Sequence, residues 1–512
     1  MHVYSTLRRA SVRARWLTGF IVALMALPVL TASAASVLPA PPWTIQPTNN
    51  PGTFNLLNGV SCPSATRCAA AGFDHNGSRD LALPELWNGI KWQDPVPVKG
   101  DPLLNADSEM NAASCPTTTE CELVGVTGNN GTLPLAAIWN GKLGKASISS
   151  QSVQLPPGST LAELNGVSCT SVSACTAVGS YADAAGVHTL VERWDGSSWQ
   201  IQPTGPPAGV FSAVSCTSAT FCMAVGNHGP NELVSVWNGS TWLVILASNF
   251  NGATFALLSG VSCTADGSCI MVGETSGPQG STTGIFNLAL KWIRGEFFLL
   301  STANLSATLN ELQAVSCTSS SDCLAVGLWQ DFRGLQDTLA EHWNGSTWQY
   351  EATPNPVGTL ADLRGVSCSS ATVCTAVGSF KTFSGEFETL AERFVAAGSP
   401  HGFSLTSKGT VLALLRKQRT LELLVFQRGR HGHLLGPVAL GSHPKGLSRI
   451  PWNLRVGGKK LSAGSYTAEL VAVFGRGVTS DGPSVTFDLT RAGLVRVRSA
   501  TCSVAAAQKG RC

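Results

Sequence analysis

Short apolar runs bounded by Gly, Asn and Ser turns fill residues 36–399, and they come in groups of four. In one group the runs are Leu164 to Cys169, Cys175 to Ser180, Thr189 to Trp194 and Ser198 to Gln202, each of strand length and each separated from the next by a tight turn. The group recurs seven times, marked by the cysteine pairs Cys62/Cys68, Cys115/Cys121, Cys169/Cys175, Cys216/Cys222, Cys263/Cys269, Cys317/Cys323 and Cys368/Cys374, whose first members lie 47 to 54 residues apart. A period near 50 with four strands per unit predicts propeller blades rather than a helical solenoid. The expected fold is all-β: a seven-bladed β-propeller followed by a small β-sandwich. The seventh unit stops at Leu390-Ala391-Glu392-Arg393-Phe394 without the Trp-containing fourth strand. That strand stands at the other end of the array, where Trp43-Thr44-Ile45-Gln46-Pro47-Thr48 matches Trp199-Gln200-Ile201-Gln202-Pro203-Thr204. Residues 43–48 are therefore expected to complete the last blade and leave no open edge.

Residues 1–35 carry Arg8, Arg9, Arg13 and Arg15, an apolar run from Trp16 to Leu30, and Ala32-Ser33-Ala34. This pattern predicts a secretory signal peptide with an A-x-A cleavage site, no membrane span after cleavage, and a secreted or cell-surface protein. Sixteen cysteines downstream agree with an oxidising compartment. Cysteines six apart across a hairpin are expected to form one disulfide per blade. Zinc ligation needs a second pair or a histidine at ligand spacing in the same repeat, which the sequence lacks, so neither a metal nor a cofactor is expected.

Charge divides the chain. Residues 36–399 hold 13 basic and 27 acidic residues, a net of −14, whereas residues 400–512 hold 17 basic and 4 acidic, a net of +13. Such asymmetry bears on partners rather than on fold. The basic region includes Arg416, Lys417, Arg419, Arg428, Arg430, Lys459 and Lys460, and its expected partner is an anionic polymer of the cell envelope or, alternatively, the acidic ring of its own or a neighbouring chain. Residues 400–490 alternate β-rich runs with Gly-rich turns, at Leu421 to Phe426, Ile450 to Val456, Ser465 to Phe474 and Ser484 to Leu489. Its segments Ile450-Pro451-Trp452-Asn453 and Leu461 to Leu470 resemble the Ig-like modules that end many bacterial secreted proteins, including the flagellar hook-capping type. A tail, residues 491–512, holds Cys502 and Cys512, which pair with each other or join chains.

The turns Asn88-Gly89, Asn140-Gly141, Asp195-Gly196, Asn238-Gly239 and Asn344-Gly345 resemble the Asp-box of sialidase-type propellers, although that box places a residue between its Asp and Gly. In that family the box is a folding element, so the resemblance implies a propeller and not an activity. Sialidases also need an arginine cluster and a tyrosine at the channel mouth, whereas this array holds only Tyr181 and Tyr350 and few arginines, which speaks against that activity. No Gly-x-Ser-x-Gly, Walker loop, dinucleotide fingerprint or His-Glu-x-x-His occurs, and the propeller has no pattern suited to nucleic acid.

In a propeller the Cys hairpins and Asn-Gly turns share one face, and the variable loops share the other, where recognition usually resides. Those loops contain His75, His228 and Trp329. Six residues before the first cysteine lie Glu109, Glu163, Glu311 and Asp362, at the start of the innermost strand, while Leu56, Val210 and Leu257 stand there in the other repeats. Two such carboxylates could act on a sugar or hold a cation. Glu85, Glu192, Glu341 and Glu392 recur in third strands and read as blade-packing or surface residues. The functional reading is a non-catalytic binding or scaffold protein holding a protein or glycan on the variable face. The alternative is a carbohydrate-active hydrolase or lyase using the channel-mouth carboxylates.

Overall fold

A computed structural model describes residues 43–500 apart from short stretches, the longest at 98–105, 141–146, 247–252, 277–283, 396–401, 428–432 and 474–478. The expected signal peptide, the pairing of Cys502 with Cys512, Arg416, Lys417, Arg428 and Arg430 lie outside the described residues. All regular structure among the described residues is β, and no helix in them is long and apolar enough to cross a membrane.

The third repeat shows the unit. Leu161–Ser171, Ala174–Asp183, Gly186–Trp194 and Trp199–Ile201 form a four-stranded antiparallel meander. The first three strands run longer than their apolar cores predict, because the polar ends also pair, whereas the fourth is shorter than the expected Ser198 to Gln202. Cys169 lies opposite Cys175 in register, and the two form a disulfide. So do Cys62 and Cys68, Cys115 and Cys121, Cys216 and Cys222, Cys263 and Cys269, Cys317 and Cys323, and Cys368 and Cys374. Closing so short a loop stabilises by about 2 kcal/mol per bridge on the chain-entropy model. The cysteines also do something the spacing did not suggest. The second member of every pair, Cys68, Cys121, Cys175, Cys222, Cys269, Cys323 and Cys374, is buried, and each belongs to an apolar cluster at a junction of repeats. These sulfurs are therefore core packing as well as staples.

The Asn-Gly turns owe their shape to two features: in four of them the Asn or Asp Oδ1 accepts the N–H groups two and three residues on, and the following glycine has φ of 91 to 96°.

The serine before each first cysteine is a stitch between repeats. Cys115 N–H donates to Ser61 Oγ, Cys169 to Ser114, Cys216 to Ser168, Cys263 to Ser215, Cys317 to Ser262, Cys368 to Ser316, and Cys62 to Ser367, all at 2.9–3.0 Å. The last bond joins the first repeat to the seventh across 305 residues. At the outer rim the same ends meet again: Trp43–Gln46 pairs antiparallel with Phe387–Val395, and the buried Trp43 ring lies 5.4 Å from that of Phe394. These are the contacts of a β-propeller whose repeat array returns on itself. Apolar clusters fill the junctions, as where Val124 and Ala136 of the second repeat meet Leu164, Val167 and Trp199 of the third.

Glu85, Glu192, Glu341 and Glu392 are fully buried, which decides between the two readings in favour of packing. Glu85 Oε1 accepts Asn49 N–H, Glu192 Oε2 accepts Gln154 N–H, and Glu341 Oε2 accepts Ala303 N–H. In each case the donor lies in the segment entering the blade from its predecessor.

The C-terminal residues form a three-stranded sheet of Gly402–Leu405, Val411–Leu415 and Gly446–Ile450, and a larger sheet in the order His433–His443, Arg419–Gln427, Gly464–Val473, Ser484–Leu489, Val495–Ala500. Leu421, Leu423, Trp452, Tyr466 and Phe487 belong to one buried cluster there. The expected strand Ile450 to Val456 is corrected. Pairing ends at Ile450, Pro451 has no N–H to continue it, and Leu454 turns back with φ 57° into the hairpin Arg455–Val456 with Lys459–Lys460.

Candidate functional site: the channel and the variable face

A single device repeated seven times shapes the lumen. Every inner strand carries a bulge, falling between Leu57 and Gly59, Met110 and Ala112, Leu164 and Gly166, Phe211 and Ala213, Leu258 and Gly260, Leu312 and Ala314, and Leu363 and Gly365. The extra residue is Asn58, Asn111, Asn165, Ser212, Ser259, Gln313 or Arg364, and all seven line a cavity of about 360 Å³. Bulges redirect a side chain out of the pleat, and here they turn it into the channel. The glycine ending each Ala-Val-Gly-like run makes room for the bulge. A Cβ at Gly72, Gly125, Gly179, Gly226, Gly273, Gly327 or Gly378 would lie 1.8–2.1 Å from a carbonyl oxygen of the facing strand.

Two residues before each bulge is the position of the nominated carboxylates. Asp362 is buried and already engaged: its Oδ2 takes Arg364 Nε at 2.6 Å and its Oδ1 takes the N–H and hydroxyl of Ser379. Glu163 Oε1 accepts from Ser180 Oγ at 2.9 Å and Asn165 Nδ2 at 3.2 Å, and Glu311 Oε2 accepts from Gln313. Sequence reading missed a fifth member. Where Leu257 stands in the first strand, its cross-strand partner is Glu274. Burial first, and then the charge of Glu311, with which it shares a hydrogen bond, push Glu274 up to about 7. Comparing the residue after each Ala-Val-Gly run would have found it, since those residues face the nominated positions one for one.

His75 and Glu109 are brought together. They line a recess of about 330 Å³ with Ser78, Arg79, Asp80, Asp107 and Ser108, at the junction of the first and second repeats on the variable side. His75 Nδ1 and Asp80 Oδ1 are 2.8 Å apart, and Asp80 N–H donates to Asp107 Oδ1 at 3.1 Å. Glu109 is raised from the ordinary carboxylate range by burial, then by the charges of Asp80, Asp107 and Glu163. Asp80 and Asp107 carried no repeat signal, because they belong to the connections that differ between blades. His228 and Trp329 do not join this recess: His228 Nδ1 contacts the carbonyl of Ala208, and Trp329 packs against the cluster containing Leu312 and Leu339. His75, Asp80 and Glu109 offer proton acceptors and a donor side by side, and no cluster fit to hold a metal occurs among the described residues.

No family model and no curated protein matches the chain. Among solved structures it is similar to YCF48 bound to a D1 peptide, at 16% identity over 70% of this chain and 97% of that one, TM-score 0.43. It is also similar to a catalytically inactive virginiamycin B lyase from Staphylococcus aureus with quinupristin, at 10% identity over 69% and 99%, TM-score 0.44. A third is the propeller domain of the trilobed protease from Pyrococcus furiosus, at 9% identity over 66% and 95%, TM-score 0.38. The chain's structure neighbours are β-propeller proteins.

Proposed function

We propose that residues 36–399 form a closed seven-bladed propeller on a secreted chain, and that this propeller is a non-catalytic binding or scaffold module. Residues 1–35 act as its signal peptide, 400–490 as an Ig-like sandwich and 491–512 as a cysteine-containing tail. The seven serine stitches and the Trp43 strand support the closure. Seven intrachain disulfides suit an extracellular protein. The observation that carries the binding reading is the polar recess of His75, Asp80, Asp107 and Glu109, opened by blade-specific connections on a ring cross-linked in every repeat. A rigid ring with variable edges is preorganised to hold a protein or glycan without ordering costs. The basic C-terminal region, where Lys459 and Lys460 are exposed in a hairpin, would attach the chain to anionic envelope polymer.

A second reading keeps the recess and makes it catalytic. Raised Glu109 beside the His75–Asp80 pair is an acid next to a base, as sugar hydrolysis or elimination requires. One screen separates the two: polysaccharides and surface proteins are offered to wild type and to Glu109→Gln. Retention of a ligand without turnover supports the binder, and turnover lost in Glu109→Gln supports the enzyme. A protein that neither binds nor turns over any of them overturns the reading.

A further inference from the structure

Over the first three repeats the lumen wall presents carboxamide oxygens. Asn58 donates its amide N–H to Met110 O at 3.1 Å, Asn111 to Leu164 O at 3.0 Å and Asn165 to Phe211 O at 3.2 Å. Asn111 also donates to Asn165 Oδ1 at 3.4 Å and Asn165 to Glu163 Oε1 at 3.2 Å, so both amide hydrogens of these two are engaged, and each carboxamide is held in an orientation that turns its Oδ1 to the lumen side. Arg364 is the one cation among the seven bulged residues, and Asp362 neutralises it at 2.6 Å. Two residues up the same strands stand Glu163 and Glu311, which accept from the lumen residues Asn165 and Gln313. Two residues down, a belt of valines, among them Val60, Val167 and Val261, gives the channel an apolar wall. Acceptors and negative charge above aliphatic side chains match a group rich in N–H donors on a methylene stem. A neutral sugar needs donors and acceptors in similar number. The cavity of about 360 Å³ is ample for such a group, since a single water needs about 10–15 Å³.

We propose that the central channel binds one organic cation, an ammonium or guanidinium group carried on a free polyamine or on a side chain of a bound peptide. The proposal rests on the binding reading but uses a site other than the recess.

Titration calorimetry of the full-length protein at physiological salt tests it, with spermidine, acetyl-Gly-Gly-Arg-Gly-Gly-amide and maltotriose as probes. The expected result is one site for at least one cationic probe and none for maltotriose. Binding by spermidine alone assigns a polyamine, and binding by the peptide alone assigns a side chain. Ser212→Lys, which puts a competing ammonium in the lumen, should weaken binding tenfold or more, and Glu311→Gln several-fold. Glu386→Gln, an exposed carboxylate elsewhere on the variable side, should leave it unchanged. If Ser212→Lys does not fold, Ser259→Lys makes the same test. No binding of either cation, equal weakening by Glu386→Gln, or equal affinity for maltotriose overturns the proposal. A ligand of the recess that still binds Ser212→Lys shows the channel idea failing while the binding reading stands.

Discussion

Replacing Gly179 with alanine strikes the device that builds the channel. The new Cβ would lie 2.0 Å from Glu163 O and 2.9 Å from both Glu163 C and Leu164 Cα, all backbone atoms that cannot rotate away. The overlap alone is overpacking of a kind that costs roughly 1–3 kcal/mol. Relieving it means undoing the bulge, which withdraws Asn165 from Phe211 O and from Glu163 Oε1, both 3.2 Å away, at about 1 kcal/mol for each bond. The expected total is about 3–5 kcal/mol. Gly158 is the control, because its φ is 77° but nothing lies within 4 Å of an added Cβ. Only backbone strain of roughly 1–2 kcal/mol applies there. Urea unfolding of both variants with disulfides intact measures the difference. A loss below about 1 kcal/mol for Gly179→Ala, or no excess over Gly158→Ala, would refute the bulge as the reason for the recurring glycine.

Ser367→Ala removes the acceptor that joins the seventh repeat to the first and should cost about 1 kcal/mol, as should Ser168→Ala between adjacent repeats; urea midpoints that move only for Ser168 would open the ring. Burial raises Glu85 to about 8 and Glu341 to about 7 from an ordinary 4.5, so the folded chain keeps protons that the unfolded chain releases. Their stabilising share is full below about pH 4.5 and lost as pH rises through 7 to 8, at about 1.4 kcal/mol for each pH unit that separates the folded from the unfolded value. Glu85→Gln should flatten that alkaline fall in thermal scans from pH 5 to 9, and an unchanged profile would show the group already ionised when folded. Residues 400–512 expressed alone should bind isolated cell walls at low salt if the basic region is an anchor; failure to bind removes that role.

Repetition made the blades legible. Seven Ser-Cys to Cys-Ala-Val-Gly runs, all visible as letters, become a stitch, a staple and a bulge site, and Trp43 could be assigned to the last blade from its likeness to Trp199. The burial of the second cysteines was not visible in the same letters, since it depends on which neighbouring blade packs over Cys222 or Cys323. The lumen was half legible: Asn58, Asn111, Asn165 and Arg364 could be aligned, but a bulge is a mismatch of count between two strands and has no residue signature of its own. Glu274 was missed for a related reason, since a cross-strand partner is a neighbour only once the register is known. Asp80 and Asp107 sit in connections with no counterpart in other repeats. In the C-terminal region no repeat averaged out local ambiguity, and an apolar run was read through Pro451.

Ring closure is tested most directly by the unfolding free energies of Trp43→Ala and Trp199→Ala. Trp43 stands at the start of the array, yet it is as buried as Trp199 and packs on Phe394 from the seventh repeat. Removing a buried tryptophan costs about 3–5 kcal/mol. The closed ring predicts losses of that size for both variants, equal within about 1 kcal/mol. A full loss for Trp199→Ala with almost none for Trp43→Ala would contradict it and leave the array open at its ends.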